Sequence, residues 1–442
     1  MKRHPAISML MVWGICIFAF LLLPFVLIGR TLSSWGFLVL CLFIAAFCFG
    51  AVSRTLVGQL RAPQTVVPRA LGFDFGRADM WLTIASLAAI AVIGVELFSG
   101  NYLDLSAAWE IRADRANNLL IGEFSDSSLM FRIAFLLYPV SYAVIVREIV
   151  LRKEINLLRL GLLGGLPPLL MSLVMGGRTP LLYGMILAAI AWRTRRQLMR
   201  RDGDEKRRPL TPRMVLYGVL AFIGILTALN YFVVVFLIRS QSVGGAEGMF
   251  DIVGSIWGVT FEGPLADAMI SIIGYGNTYL VFVFAWYLVQ GLVMSNTIFT
   301  DYAGAPHYGI YGLELLTAIA RRTNGDFVSD RFYSLLDLNV LGFLPSAWGS
   351  LFVDFKYAGL LLAFLWGYLA ARVYHKCREG VDVRWFYLAP LVSVGIFFSL
   401  INTPLGFGNG FTTHFWMILT FFLMKARPLG AGAPGPASPS VA

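Results

Sequence analysis

The feature that most constrains this chain is the recurrence of apolar runs about 20 residues long. That is the length an α-helix needs to cross a hydrocarbon core of about 30 Å. Clear runs occupy approximately residues 7–29, 33–53, 80–99, 129–149, 156–176, 179–193, 214–238, 357–374, 385–402 and 411–425. Inside a bilayer each segment must satisfy its own backbone hydrogen bonds, so runs of this length are read as helices. Composition agrees, since 58% of the residues are hydrophobic and only 14% are charged, against about 25% in soluble domains. So little polar surface excludes a soluble enzyme and a disordered scaffold. The expected fold class is all-α, a polytopic integral membrane protein of about 10–12 transmembrane helices.

The formal net charge of +10 sits in short clusters beside the apolar runs rather than along one soluble face. That pattern argues for membrane topology and against a nucleic-acid partner. It places both termini in the cytoplasm. Lys2 and Arg3 followed by an apolar stretch to Gly29 make a run too long for a signal peptide and lacking a cleavage site, so a retained first helix is expected. Residues 1–238 read as a bundle of about seven helices with an external loop at 100–128 and a cytoplasmic loop at 193–213. Residues 239–356 hold only five basic side chains, Arg239, Arg321, Arg322, Arg331 and Lys356, and read as a large external or re-entrant region. Within it, 252–273 and 279–294 are apolar enough to form either a re-entrant hairpin or two further spans. Residues 357–425 supply the C-terminal helices, and 426–442, rich in Gly, Pro, Ala and Ser, are expected to be a disordered cytoplasmic tail. Three of the four cysteines lie within apolar runs and none has metal-ligand spacing, so neither a metal nor a cofactor is expected.

The sharpest local signal is Gly176-Gly177-Arg178-Thr179-Pro180, where one helix ends on glycines and the next begins at once. Thr179 reads as N-cap and Pro180 as the first helical position. A helix start with an arginine fork beside it suits a phosphate; a headgroup contact or a cap of the preceding helix is the structural alternative. In the first external loop Arg112 is a second candidate, with local pairing to Glu110 and Asp114 as its alternative. Glu262 and Asp267 are carboxylates set in apolar sequence, and His307 is the one histidine of the external region. These three are alternative candidates for a general base. Arg331 is a candidate clamp, with Asp326 and Asp330 as possible local partners. Asp354 reads either as a base or as the acidic N-cap of the helix starting near Tyr357. Trp348 and other external aromatics, such as Tyr275, Tyr308 and Tyr333, offer ring faces for sugars, or else fill cores and interface belts. There is no P-loop, no Gly-x-Ser-x-Gly and no His-Glu-x-x-His.

On these residues the chain resembles the bacterial O-antigen or oligosaccharide repeat-unit polymerases, within the wider polymerase and ligase superfamily. The Gly-Gly-Arg hairpin at 176–178 is similar to a Gly/Ser-x-Arg turn of that group. The block Leu338-Asn339-Val340 through Trp348, Asp354-Phe355 and Gly359 is a second match, and Arg331 with Gly342 a third. The resemblance implies a GT-C-like helical membrane fold with a partly helical periplasmic region. It also implies glycosyl transfer from undecaprenyl-pyrophosphate-linked oligosaccharide at the outer face of the inner membrane. Membrane lipids, a chain-length-determinant protein and a flippase are the further partners it implies. Under it Arg178 and Arg331, with Arg112 and Trp348, bind pyrophosphate and sugar, and Glu262, Asp267, His307 or Asp354 takes the hydroxyl proton. An O-antigen ligase acting on lipid A core is the near alternative. A transporter or lipid-linked sugar flippase is the alternative from another class.

Overall fold

The computed structural model describes residues 3–59, 76–99, 128–152, 154–175, 177–201, 258–336, 344–380, 382–407 and 409–424, with isolated positions between 230 and 255 and at 338 and 340. The described residues are mostly helical. Helix α1 (Pro5–Leu22) is capped by His4, whose Nδ1 accepts from the Ala6 amide, and Pro5 occupies its first position. It leads through strand β1 (Phe25–Leu27) into α2 (Ser34–Gln59), and α3 (Gly76–Ser99) follows. The single apolar run at 129–149 forms two helices, α4 (Leu129–Leu137) and α5 (Val140–Val150), separated at Pro139, which has no amide hydrogen to donate. Helix α6 (Leu157–Val174) contains a π segment, Leu160–Gly165, and α7 is Thr179–Arg201. Helix α7 therefore continues through the first residues of the stretch expected to be the 193–213 loop.

Strand β2 (Val259–Phe261) pairs antiparallel with β1, with Phe25 opposite Phe261. The runs read separately at 252–273 and 279–294 supply the two arms of one element, α8 (Pro264–Asp301), which is kinked at Gly274 (φ 79°). Helices α9 (Glu314–Thr323) and α10 (Gly325–Leu336) form a hairpin, and α11 (Ser346–Phe355), α12 (Gly359–Glu379), α13 (Arg384–Phe398) and α14 (Gly410–Leu423) complete the chain. Among the described residues seven helical stretches are long and apolar enough to cross a membrane. The expected span at 214–238 and the 100–128 loop lie almost wholly outside the described residues, and the 426–442 tail wholly outside.

The bundle has two distinct ends. At one, called the His4 end, α1 begins and α2 and α12 finish; at the other, the connector end, residues 23–33 join α1 to α2. Helices α2 and α12 run in the same direction and touch backbone to backbone. A Cβ on Gly50 would strike the Phe364 carbonyl, and one on Gly367 the Phe47 carbonyl. Small residues permit this approach, and dispersion across it replaces the hydrophobic drive that lipid does not supply. Near the connector, the rings of Phe282 and Trp286 on α8 each lie 5.9 Å from Phe25. Asn296 bonds the Ser33 amide and carbonyl, at 2.8 and 2.9 Å. The second arm of α8 is thus tied to both flanks of the connector.

The His4 end is strongly basic and contains a buried charge network. Arg147 and Glu148 of α5 are fully buried, and Asp79 of α3 contacts Arg147, Arg152 at 3.3 Å and Arg159 at 2.8 Å. Glu148 meets Arg152 at 3.0 Å and Arg159 at 3.2 Å. Arg195 of α7 closes the group by donating to the Ile149 carbonyl at 2.9 Å. Charges in a low-dielectric bundle persist only when paired in this way.

Candidate functional site

The site lies where helices stop short. Helix α11 begins level with the middle of its neighbours, because Trp348 in its first turn packs on mid-helix residues of α1, α2 and α12. Its ring lies 6.4 Å from Trp13, 6.1 Å from Phe43, 6.3 Å from Phe47 and 5.4 Å from Trp366. This corrects the expectation that Trp348 offers a ring to sugar: it is 0% exposed and its faces are covered by protein. The start of α11 is satisfied internally. Ser346 Oγ accepts from the Trp348 and Gly349 amides, and the Ser399 carbonyl accepts from Ala347 at 2.8 Å. Helix α13 also stops in mid-bundle, and residues 399–407 and 409 are irregular yet largely buried. Non-helical backbone at such depth is stable only inside protein or beside a cavity.

From the middle, α11 rises toward the connector end and delivers Asp354 and Lys356. Asp354 is not the N-cap of the following helix, as the sequence suggested; it sits within α11, 2% exposed. Its carboxylate accepts from the amides of Tyr311 (2.9 Å) and Gly312 (2.8 Å). A carboxylate holding two amides is an anchor for the 307–312 turn, and this engagement argues against the role of free base. The same turn is pinned by the His307 and Tyr308 amides, which donate to the carbonyls of Val353 and Asp354.

His307 is fully buried within a cage of rings, with Phe332 at 5.7 Å and Tyr302 and Tyr311 each at 6.0 Å. Neither ring nitrogen has a hydrogen-bond partner of normal geometry, although the backbone at Arg331 lies near enough to favour the protonated form slightly. Burial, followed by the charges of Arg331 and Lys356, pushes the imidazole down to about 4, so it is neutral at physiological pH. Lys356 Nζ donates to the Tyr302 carbonyl at 2.8 Å and lies 3.5 Å from that ring's centroid. The Arg331 guanidinium lies 5.0 Å from the Phe327 ring. Two cations thus face one neutral base.

Arg178 joins this end through the buried loop. It occupies the N-cap position of α7, one residue earlier than expected, since its carbonyl accepts from Leu182. The side-chain cap comes from the preceding helix, where Ser172 Oγ accepts from the Leu181 amide at 3.2 Å. Five residues on, Tyr183 stacks on Phe398 at 5.5 Å and lies 6.3 Å from Phe407. Next to Phe407, Gly406 abuts the Gly312 carbonyl too closely to admit a Cβ. A continuous line of contacts therefore runs from the start of α7 to the turn held by Asp354.

All four described non-glycine residues with positive φ lie in the segments that build this region: Tyr308 (55°), Ser346 (64°), Lys356 (51°) and Asn409 (59°). Each such residue costs on the order of 1–3 kcal/mol, and backbone strain of this kind concentrates at functional sites.

Glu262 and Asp267 do not belong to it. Both are exposed on a separate groove beside β2. Phe261 packs on Phe282 at 5.5 Å, and from Phe282 to Tyr302 the second arm of α8 runs 20 residues, about 30 Å. Neither carboxylate can take a proton at a centre formed by His307, Arg331 and Lys356, so the expectation of one shared constellation is corrected. Arg112 lies outside the described residues. Sequence reasoning passed over Lys356, whose signal was its rarity as a cation in 239–356, and the buried loop that begins at residue 399. That loop was marked by Asn402-Thr403-Pro404 and the glycines at 406, 408 and 410, breakers inside an apolar run. The chain matches no family model, no curated protein and no solved structure.

Proposed function

We propose that this protein joins saccharide units carried on a polyprenyl diphosphate, as a repeat-unit polymerase acting at the outer face of a bacterial inner membrane. The observation that carries the reading is the connector-end region itself. Strained backbone there sets Arg331 and Lys356 beside a neutral imidazole, while the buried carboxylate, Asp354, is already engaged by backbone amides; Arg178 starts the helix whose Tyr183 connects to the same turn through Phe407 and Gly406. A cluster of cations at the end of an apolar bundle suits a diphosphate on a lipid tail. The dense basic network at the His4 end supports placing that end in the cytoplasm and the connector-end cations outside.

In this mechanism a hydroxyl of the acceptor unit attacks the anomeric carbon of the donor chain. The new carbon–oxygen bond forms as the carbon–oxygen bond to phosphate breaks, and the lipid diphosphate leaves with the electron pair. Arg178, Arg331 and Lys356 stabilise its developing charge. His307 receives the hydroxyl proton. A diphosphate bound between Arg331 and Lys356 offsets the two charges that depress the imidazole, and so makes it a better base when the donor is present. Phe332 of α10 covers the ring, so the acceptor reaches it when the α9–α10 hairpin lifts. No metal or nucleotide is required.

Deletion of the gene tests the reading. Loss of a polymerase leaves one repeat unit on the lipopolysaccharide. Loss of a ligase, the alternative with the same chemistry, leaves none, and an unchanged polymer together with a lost solute flux would point to a transporter.

A further inference from the structure

The groove holding Glu262 and Asp267 has a volume of about 590 Å³, inside the range of about 300–1,000 Å³ for small-molecule sites. Its wall is chemically mixed. Ile28 and Ile270 give it apolar surface, Glu262 and Asp267 are exposed carboxylates, and Tyr275 is 48% exposed at its edge. Thr260 lines it as well, with a buried Oγ1 that has no hydrogen-bond partner. Gly263 (φ 111°) turns the chain from β2 into α8 and sets the two carboxylates on either side of that turn.

Ionised carboxylates are pure acceptors that take pairs of hydroxyl hydrogens, and an exposed tyrosine ring packs on the C–H face of a sugar. A metal ion fits less well. Calcium takes six to eight oxygens, and among the described residues no group of three metal-binding side chains converges. An ion also leaves the apolar wall without a role.

We infer that this groove is a saccharide-holding subsite, distinct from the reaction centre and about 30 Å from it along α8. It grips hydroxyl-rich sugar rings several residues away from the glycosidic bond being formed. Saccharide binding follows from the groove alone; its part in retaining the growing glycan rests on the function proposed above. A held chain stays near the reaction centre between additions, so loss of the groove shortens the product.

The test uses the full-length protein in nanodiscs, with oligosaccharides released by mild acid from the host's lipid-linked pool as probe and calorimetry as readout. The wild type binds them, and the double variant Glu262→Gln/Asp267→Asn, like Tyr275→Ala, binds at least tenfold more weakly with an unchanged melting temperature. Equal binding by wild type and both variants overturns the inference. So does stoichiometric Mn²⁺ binding that the double variant alone loses. Undecaprenyl pyrophosphate, tested in parallel, separates the two claims. If it binds while the oligosaccharides do not, the groove assignment fails and the proposed function stands; if neither binds, both fail. In cells the double variant gives shorter polymer than wild type, and polymer of unaltered length overturns the retaining role. Should a variant melt early, Thr260→Val, which removes only the buried hydroxyl, repeats the binding comparison.

Discussion

Asp354 Oδ2 accepts the Gly312 amide at 2.8 Å, joining the end of a half-length helix to the turn that carries His307. A second amide, from Tyr311, binds the other oxygen at 2.9 Å, so one buried carboxylate replaces water for two donors. Removing it strands both amides. Asp354→Ala is expected to cost about 2–4 kcal/mol and Asp354→Asn, which keeps one acceptor oxygen, about half as much. Thermal melting in detergent measures this, and an alanine variant as stable as wild type would show that the turn holds itself.

The titration of His307 has a definite sign. Its folded value of about 4 lies below the ordinary 6.5, so the unfolded chain binds the proton first as pH falls. The stability contributed by the neutral ring is complete above about pH 6.5, declines between 6.5 and 4, and is lost below, amounting to about 3 kcal/mol at most. His307→Leu should therefore melt with a smaller loss between pH 6.5 and 4 than wild type, and the two curves should run parallel above 7. Identical curves throughout the acid range would place the ring in water.

At the His4 end, Asp79 is the carboxylate shared by Arg147, Arg152 and Arg159. Asp79→Ala takes a partner from an arginine that is wholly buried, and about 3–5 kcal/mol of stability should go with it. Lys376, which pairs with Glu379 at the surface, provides the control: Lys376→Ala should change stability by less than about 1 kcal/mol. Comparable losses in the two variants would mean that burial adds nothing to the first.

The α2–α12 contact depends on absent side chains. Gly367→Leu must force the Phe47 carbonyl away, and backbone cannot yield as a flexible side chain can. A loss of at least about 1–3 kcal/mol is expected, visible as reduced accumulation and early melting. Gly14, whose Cβ would meet nothing, should accept alanine without loss.

How much of this was legible follows from what each feature depends on. Apolar run length is a local property: it located α3, α6 and α12 to within about five residues, whereas α1 ends at Leu22, before its run does, and α2 continues to Gln59, past its run. Gly177-Arg178-Thr179-Pro180 announced the α6–α7 turn for the same reason, although the cap comes from Ser172, a residue that only the fold brings near. The half-length α11 was hidden, because Trp348 and its aromatic neighbours read equally as interface or core until the surrounding helices are placed. Placing Glu262 or Asp267 at one centre with Arg331 failed on distance, since sequence carries chemistry but not the length of the helix between. The Arg147–Glu148–Asp79 network was missed for a related reason: Arg147 and Glu148 lie at the end of one run and Asp79 at the start of another, and they meet only in three dimensions.

The central claim is that cations at the connector end hold a lipid diphosphate while saccharides are joined. The most direct measurement is chain extension by the purified protein in nanodiscs, supplied only with undecaprenyl-pyrophosphate-linked oligosaccharide, for wild type and for Arg178→Ala. A ladder of longer products from wild type, and single units from an Arg178→Ala protein of unchanged melting temperature, is the predicted result. No extension by wild type, or a full ladder from the variant, would contradict it.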